Sequence, residues 1–136
     1  MLEGCDIMEL LEAIKNRRSI RKYQTKQIPR EDLEKIIEAG TYASNAGGGQ
    51  RSMIVGIPDA FCCAETMLME AYDLGISSYI VSRAEETFDN EIGEAILKEW
   101  GVPENYIARC FVTLGYCDGE YPVSKPRKQG RIKIIE

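Results

Sequence analysis

Residues 17–23 read Arg17-Arg18-Ser19-Ile20-Arg21-Lys22-Tyr23, four cations, a serine and a tyrosine in seven positions. Guanidinium groups grip phosphate through paired N–H donors, and a serine hydroxyl adds a neutral donor. A basic cluster after a helix also complements the negative end of the helix dipole, so the stretch has a structural reading beside the binding one. Just before it, Asp6-Ile7-Met8-Glu9 has the form of a capping box, with Asp6 as N-cap, and Ile7, Leu10, Leu11 and Ile14 recur at helical spacing. These predict a first helix over residues 7–16. Just after it, a basic loop over residues 19–27 leads to Ile28-Pro29-Arg30-Glu31. There a second helix starts, with Leu33, Ile36 and Ile37 on its apolar side and Gly40 as its stop.

The charge pattern gives the cluster a counterpart. Residues 15–22 hold five bases and no acid, and residues 125–133 hold five more (Lys125, Arg127, Lys128, Arg131, Lys133), again with no acid. The remaining chain holds 7 basic and 22 acidic residues, so two basic islands sit in an otherwise acidic protein of net charge −5. They read either as two solvated faces or as two segments meeting around one anion. A long nucleic acid is disfavoured, because the acidic remainder would repel it.

Further along, residues 43–52 (Ala-Ser-Asn-Ala-Gly-Gly-Gly-Gln-Arg-Ser) hold no regular element. The spacing then predicts a short strand over Met53–Ile57 closed by Pro58-Asp59, and an apolar helix over 60–74 ending at Gly75. It predicts a strand over 76–81, an amphipathic helix over 85–100 with Ile92, Ala95, Ile96 and Trp100 inward, and a strand over 107–116. An extended tail follows, with Ile132, Ile134 and Ile135 near its end. That pattern suits a strand added to a sheet edge, including that of a second subunit. The expectation is one α+β domain over residues 1–136.

Composition narrows the chemistry. There is no histidine, which removes the commonest acid–base group and histidine metal sites. The five cysteines (Cys5, Cys62, Cys63, Cys110, Cys117) include no C-x-x-C pair, so neither a disulfide framework nor a zinc site is expected. An enzyme so composed leaves the hard chemistry to a cofactor. Cys62-Cys63 reads as core packing on an apolar helix rather than a redox pair. Gly47-Gly48-Gly49 lacks the Lys-Ser/Thr that a phosphate-binding P-loop needs. Tyr23 and Tyr42 are open to a ring contact or a structural role. No apolar run approaches the roughly 20 residues of a membrane span, and the expected location is the cytoplasm.

The chain resembles the nitroreductase family of flavoproteins. The resemblance rests on R-R-S-I-R-K-Y (17–23), I-P-R-E-D-L-E-K-I-I-E-A-G (28–40) and Y-A-S-N-A-G-G-G-Q (42–50). It continues in A-E-T-M-L-M-E-A-Y-D-L-G-I-S-S (64–78), I-A-R-C-F-V-T-L-G-Y (107–116) and K-P-R (125–127). It implies a nitroreductase-like α+β fold, with a central mixed or antiparallel sheet flanked by helices and a C-terminal tail pairing on the partner subunit. It also implies a homodimer with FMN at the interface. By position, Arg17, Arg18, Ser19 and Arg21 match the first flavin-contacting segment, and Lys125 and Arg127 the distal pair at the phosphate. Ser44, Asn45 and Ala46 match a loop contributed by the other subunit. Ser44 stands where proline is usual, and Gly48 where asparagine is common. Ile76, Ser77 and Ser78 match the turn whose backbone approaches the reactive edge of the ring. The implied activity is hydride transfer from NAD(P)H through flavin N5 to nitroaromatic, quinone or similar acceptors in ping-pong order, with no metal.

The chain departs from the family between residues 57 and 61, where relatives place several tens of residues. Those include a cationic segment beside the flavin, a helical region over the site and a core strand. An incomplete pocket of this kind also fits a flavin-binding protein with little turnover. A basic-ended polyanion binder is a third reading.

Overall fold

The computed structural model describes residues 9–43, 57–130 and 135. Its longest element is a helix over Ile57–Asp73, whose apolar residues run through most of its length. Pro58 lies in the first turn of this helix, where a missing N–H breaks no intrahelical bond. The expected strand over 53–57 therefore gives way at Ile57 to helix, and its residues 53–56 lie outside the described ones. The helix closes at Gly75, which takes a φ of +71°. The Gly75 N–H donates to the Tyr72 carbonyl at 3.0 Å and the Ile76 N–H to the Ala71 carbonyl at 2.7 Å, so the terminal carbonyls are satisfied and the chain turns straight into a strand.

In chain order the helices are α1 (Leu10–Asn16), α2 (Arg30–Thr41) and α3 (Ile57–Asp73), followed by strand β1 (Ser77–Val81). Then come α4 (Ala84–Phe88), α5 (Glu91–Glu99) and strand β2 (Phe111–Gly115). The strands pair antiparallel, with Ser77 opposite Gly115 and Val81 opposite Phe111. α2 lies along α3, and Ile36, Ala71 and Ile76 form the buried centre between these helices and the sheet. Ile28, Met67, Leu74, Leu114 and Tyr116 pack around them. Gly40, expected as a helix stop, is instead buried inside α2. A Cβ there would meet the Met67 side chain at 2.7 Å, so the glycine lets the two helices approach.

Two further expectations change. The single helix over 85–100 is broken at Asp89-Asn90, where the Asn90 side chain accepts from the Gly93 N–H at 3.0 Å and caps a new helix. The break resets the helical phase. Gly93, with the Phe88 backbone 2.4 Å from where its Cβ would stand, becomes the buried residue, whereas Ile92 and Trp100 are 74% and 65% exposed. In α1 only Ala13 is buried, and Leu10, Leu11 and Ile14 face outward.

Candidate functional site

The site grows from the segment that leaves α1. Ser19 bridges to Ser78 on β1, and the Ile20 N–H donates to the Ser78 carbonyl at 3.0 Å. Four residues on, Tyr23 bridges to Cys117 just past β2, and the Gln24 N–H donates to the Tyr116 carbonyl at 2.8 Å. The segment thus crosses one end of the antiparallel strand pair, held by β1 on one side and by the chain just past β2 on the other. Tyr23 is the pivot. Its hydroxyl donates to the Ile20 carbonyl at 2.7 Å and lies 2.9 Å from Thr113 Oγ1, and its ring lies where a Gly115 Cβ would stand, 2.6 Å away. These contacts give Tyr23 a structural role.

The crossing gathers some expected site residues. Arg17 is mostly covered, with its Nη2 3.5 Å from Glu65 Oε1 on α3. Its buried Nη1 has no hydrogen-bond partner among the described residues. The buried Ser78 Oγ is likewise unpartnered. Ile76, Ser77 and Ser78 are all buried, whereas Ser19 is exposed. An unsatisfied buried polar atom costs about 1–3 kcal/mol, so Arg17 Nη1 calls for an acceptor and the Ser78 hydroxyl for a partner, as does the buried Asp59 Oδ2 on α3.

The other basic residues are engaged differently. The Arg18 guanidinium folds back onto the end of α1, donating to the Arg17 and Lys15 carbonyls, the latter at 2.6 Å. This is the helix-capping reading of the motif. The Arg21 guanidinium lies 4.2 Å over the Tyr79 ring. Lys125 and Arg127 are exposed, on a stretch without regular structure. Ser44, Asn45 and Ala46 lie outside the described residues, as do Gly48, Ile132 and Ile134. Ile135 is exposed.

Two residues at the site were not anticipated from the sequence. Glu65 partners Arg17, and the Tyr121 hydroxyl accepts the Arg18 N–H at 2.8 Å. Tyr121 also packs its ring against Tyr72, centroids 6.2 Å apart, and burial pushes its phenol pKa up. Its sequence signal is a lone aromatic before Pro122 in a polar stretch, which marks an extended backbone with one anchoring side chain.

A cavity of about 690 Å³ opens elsewhere, between α4, α5 and residues 102–108. Its lining includes Glu85, Asp89, Glu91, Glu94 and Glu104 against the single cation Lys98, and none of the residues above. Such a lining repels a phosphate, so this cavity is not the anion site. Arg109, outside that lining, forms an ion pair with Glu85.

Comparison with known proteins decides the relationship. The sequence model of the Nitroreductase family matches residues 14–58, which contain the basic segment. A protein of Archaeoglobus fulgidus, named "Putative NADH dehydrogenase/NAD(P)H nitroreductase", is 30% identical over 152 aligned positions, taking in 79% of this chain and 85% of that relative. The chain belongs to the nitroreductase family. A Methanothermobacter thermautotrophicus protein of the same name is 51% identical over 39 residues, which is 29% of this nitroreductase-family chain and 20% of that relative. A crystal structure of a Bacteroides fragilis nitroreductase with bound FMN superposes with a TM-score of 0.85 at 27% identity, covering 95% of this chain and all of that one. The alignment with the Archaeoglobus protein is also longer than the part of this chain it takes in. Since 79% of 136 residues is about 107, about 45 of its 152 positions have no counterpart here.

Proposed function

We propose that this nitroreductase-family chain binds FMN in a homodimer and works as an NAD(P)H-dependent oxidoreductase. FMN would supply the redox chemistry, taking a hydride at N5 and passing it to a nitroaromatic, quinone or similar acceptor in ping-pong order. The observation that carries the reading is that Arg17 Nη1 and Ser78 Oγ, both buried, have no hydrogen-bond partner among the described residues, on two segments joined by the Ser19–Ser78 bridge. A phosphorylated flavin offers the acceptors they lack, and the Bacteroides fragilis relative is described with FMN bound. On this reading Arg17 and Ser19 hold the phosphate end, with Lys125 and Arg127 closing on it from the tail. The backbone of Ile76, Ser77 and Ser78 lies along the ring. Ser44, Asn45 and Ala46 would come from the second subunit.

Leu10, Leu11 and Ile14, all more than half exposed on α1, support the homodimer, because an isolated short helix gains nothing from an apolar face in water. The free thiols of Cys62, Cys63, Cys110 and Cys117 fit the cytoplasm. Among the described residues no helix is long and apolar enough to cross a membrane.

A second reading, a flavin-binding protein with little turnover, draws on the roughly 45 unmatched positions and on the cations already engaged, Arg21 by Tyr79 and Arg109 by Glu85. Titration of the purified protein with FMN, followed by flavin fluorescence and by NAD(P)H oxidation with a quinone acceptor, separates the cases. Binding with turnover supports the enzyme, and binding without turnover supports the second reading. Failure to bind FMN at all removes both.

A further inference from the structure

We propose that Tyr121 is a positioning residue: its hydroxyl clips the C-terminal tail to the Arg17-Arg18 segment, so that Lys125 and Arg127 are delivered to the phosphate end of the site. This rests on the FMN reading above. It adds a residue that the motif comparison does not contain.

Between residues 116 and 118 the tail is tied to the basic segment by its backbone. Tyr116 accepts from Gln24, Cys117 bridges Tyr23, and the Asp118 N–H donates to the Lys22 carbonyl at 3.1 Å, reinforced by the Lys22–Asp118 ion pair at 2.7 Å. At Gly119 the chain turns with a φ of +110°, which favours glycine, and leaves this ladder. Among the described residues the next tie is the hydroxyl of Tyr121 on the Arg18 N–H, with the ring held by Tyr72. Beyond it, residues 122–130 are exposed, and no hydrogen bond or ion pair among the described residues joins them to the body.

Tyr121 is therefore where the position of the tail is set. Lys125 and Arg127 follow by four and six residues, a reach of roughly 13 and 20 Å of extended chain. A tail anchored at Tyr121 searches a small volume around Arg17. One anchored only at Asp118 searches a larger one and loses more conformational freedom on binding.

The test uses Tyr121→Phe, which keeps the ring on Tyr72 and removes only the hydroxyl. FMN affinity should fall about 3- to 10-fold, the worth of one such hydrogen bond. Riboflavin has no phosphate for the tail to reach, so its affinity should not change. In a background that carries both Lys125→Ala and Arg127→Ala the same substitution should have no further effect on FMN. Trypsin cleavage after Arg127 and Lys128 should be faster in Tyr121→Phe than in wild type, with or without FMN, while the melting temperature holds. Equal loss of FMN and riboflavin binding would show a merely structural tyrosine and overturn the proposal. So would unchanged FMN affinity, or unchanged cleavage. Should wild-type protein bind FMN no better than riboflavin, the phosphate-site reading itself would fail, whatever Tyr121→Phe does to cleavage.

Discussion

Arg17 carries the heaviest demand of any single residue, because its guanidinium is mostly covered and half satisfied. Arg17→Ala should weaken FMN binding by roughly 10- to 100-fold, from about 1.5–3 kcal/mol of lost charge-assisted hydrogen bonding, as measured by fluorescence titration. Glu65 acts in the opposite sense, as a carboxylate competing for the same cation. Because it is half exposed, Glu65→Gln should tighten FMN by no more than about 5-fold. Gly115 shows a packing constraint. A methyl group there meets the Tyr23 ring at 2.6 Å, and that ring cannot move without breaking the hydroxyl's bond to Ile20. Gly115→Ala should cost about 1–3 kcal/mol in a denaturant titration. Charge counting located Arg17 and the tail lysine and arginine in the sequence. It did not reveal Glu65 or Tyr121, since each acts through one partner far along the chain, and neither leaves a periodic or compositional trace.

The elements show which local signals were sufficient. α3 and β1 are flanked by Gly75, whose left-handed backbone ends one and admits the other, and that boundary was legible. α5 was placed with the wrong face inward because Asn90, a strong cap, was read as part of a continuous helix. Helical spacing sustained across residues 85–100 concealed a break that costs little when a side chain replaces the lost backbone bond. Within α3, Cys62 is exposed and Cys63 half-buried. Burial pushes the thiols of Cys63 and Cys110 up. Alkylation at mildly alkaline pH should therefore label Cys62 well before Cys63 and Cys110, as mass spectrometry of peptides would show. Equal rates at all three would contradict the packing of α3 against the strand region.

For the whole molecule, the proposed function links the apolar face of α1 to the cofactor. Leu10, Leu11 and Ile14 are on the helix whose end presents Arg17, so covering that face with a second subunit would also steady the cation. Replacing Leu11 and Ile14 by glutamate should shift the protein toward monomer in light scattering and loosen FMN in parallel. Dimer retained with both glutamates in place would move the interface elsewhere. The segment pinned across the strand pair has a consequence during synthesis. Arg18 and its hydroxyl partner are 103 residues apart, so the ribosome has made α1, α2 and α3 long before the strand and tail that complete the cradle emerge. Until then the Arg18 and Gln24 N–H donors, whose partners are Tyr121 and Tyr116, are left to water. On the proposed function, a nascent chain stalled before Tyr121 should not capture flavin, which would make cofactor uptake a late event in the birth of this protein rather than a seed for its folding.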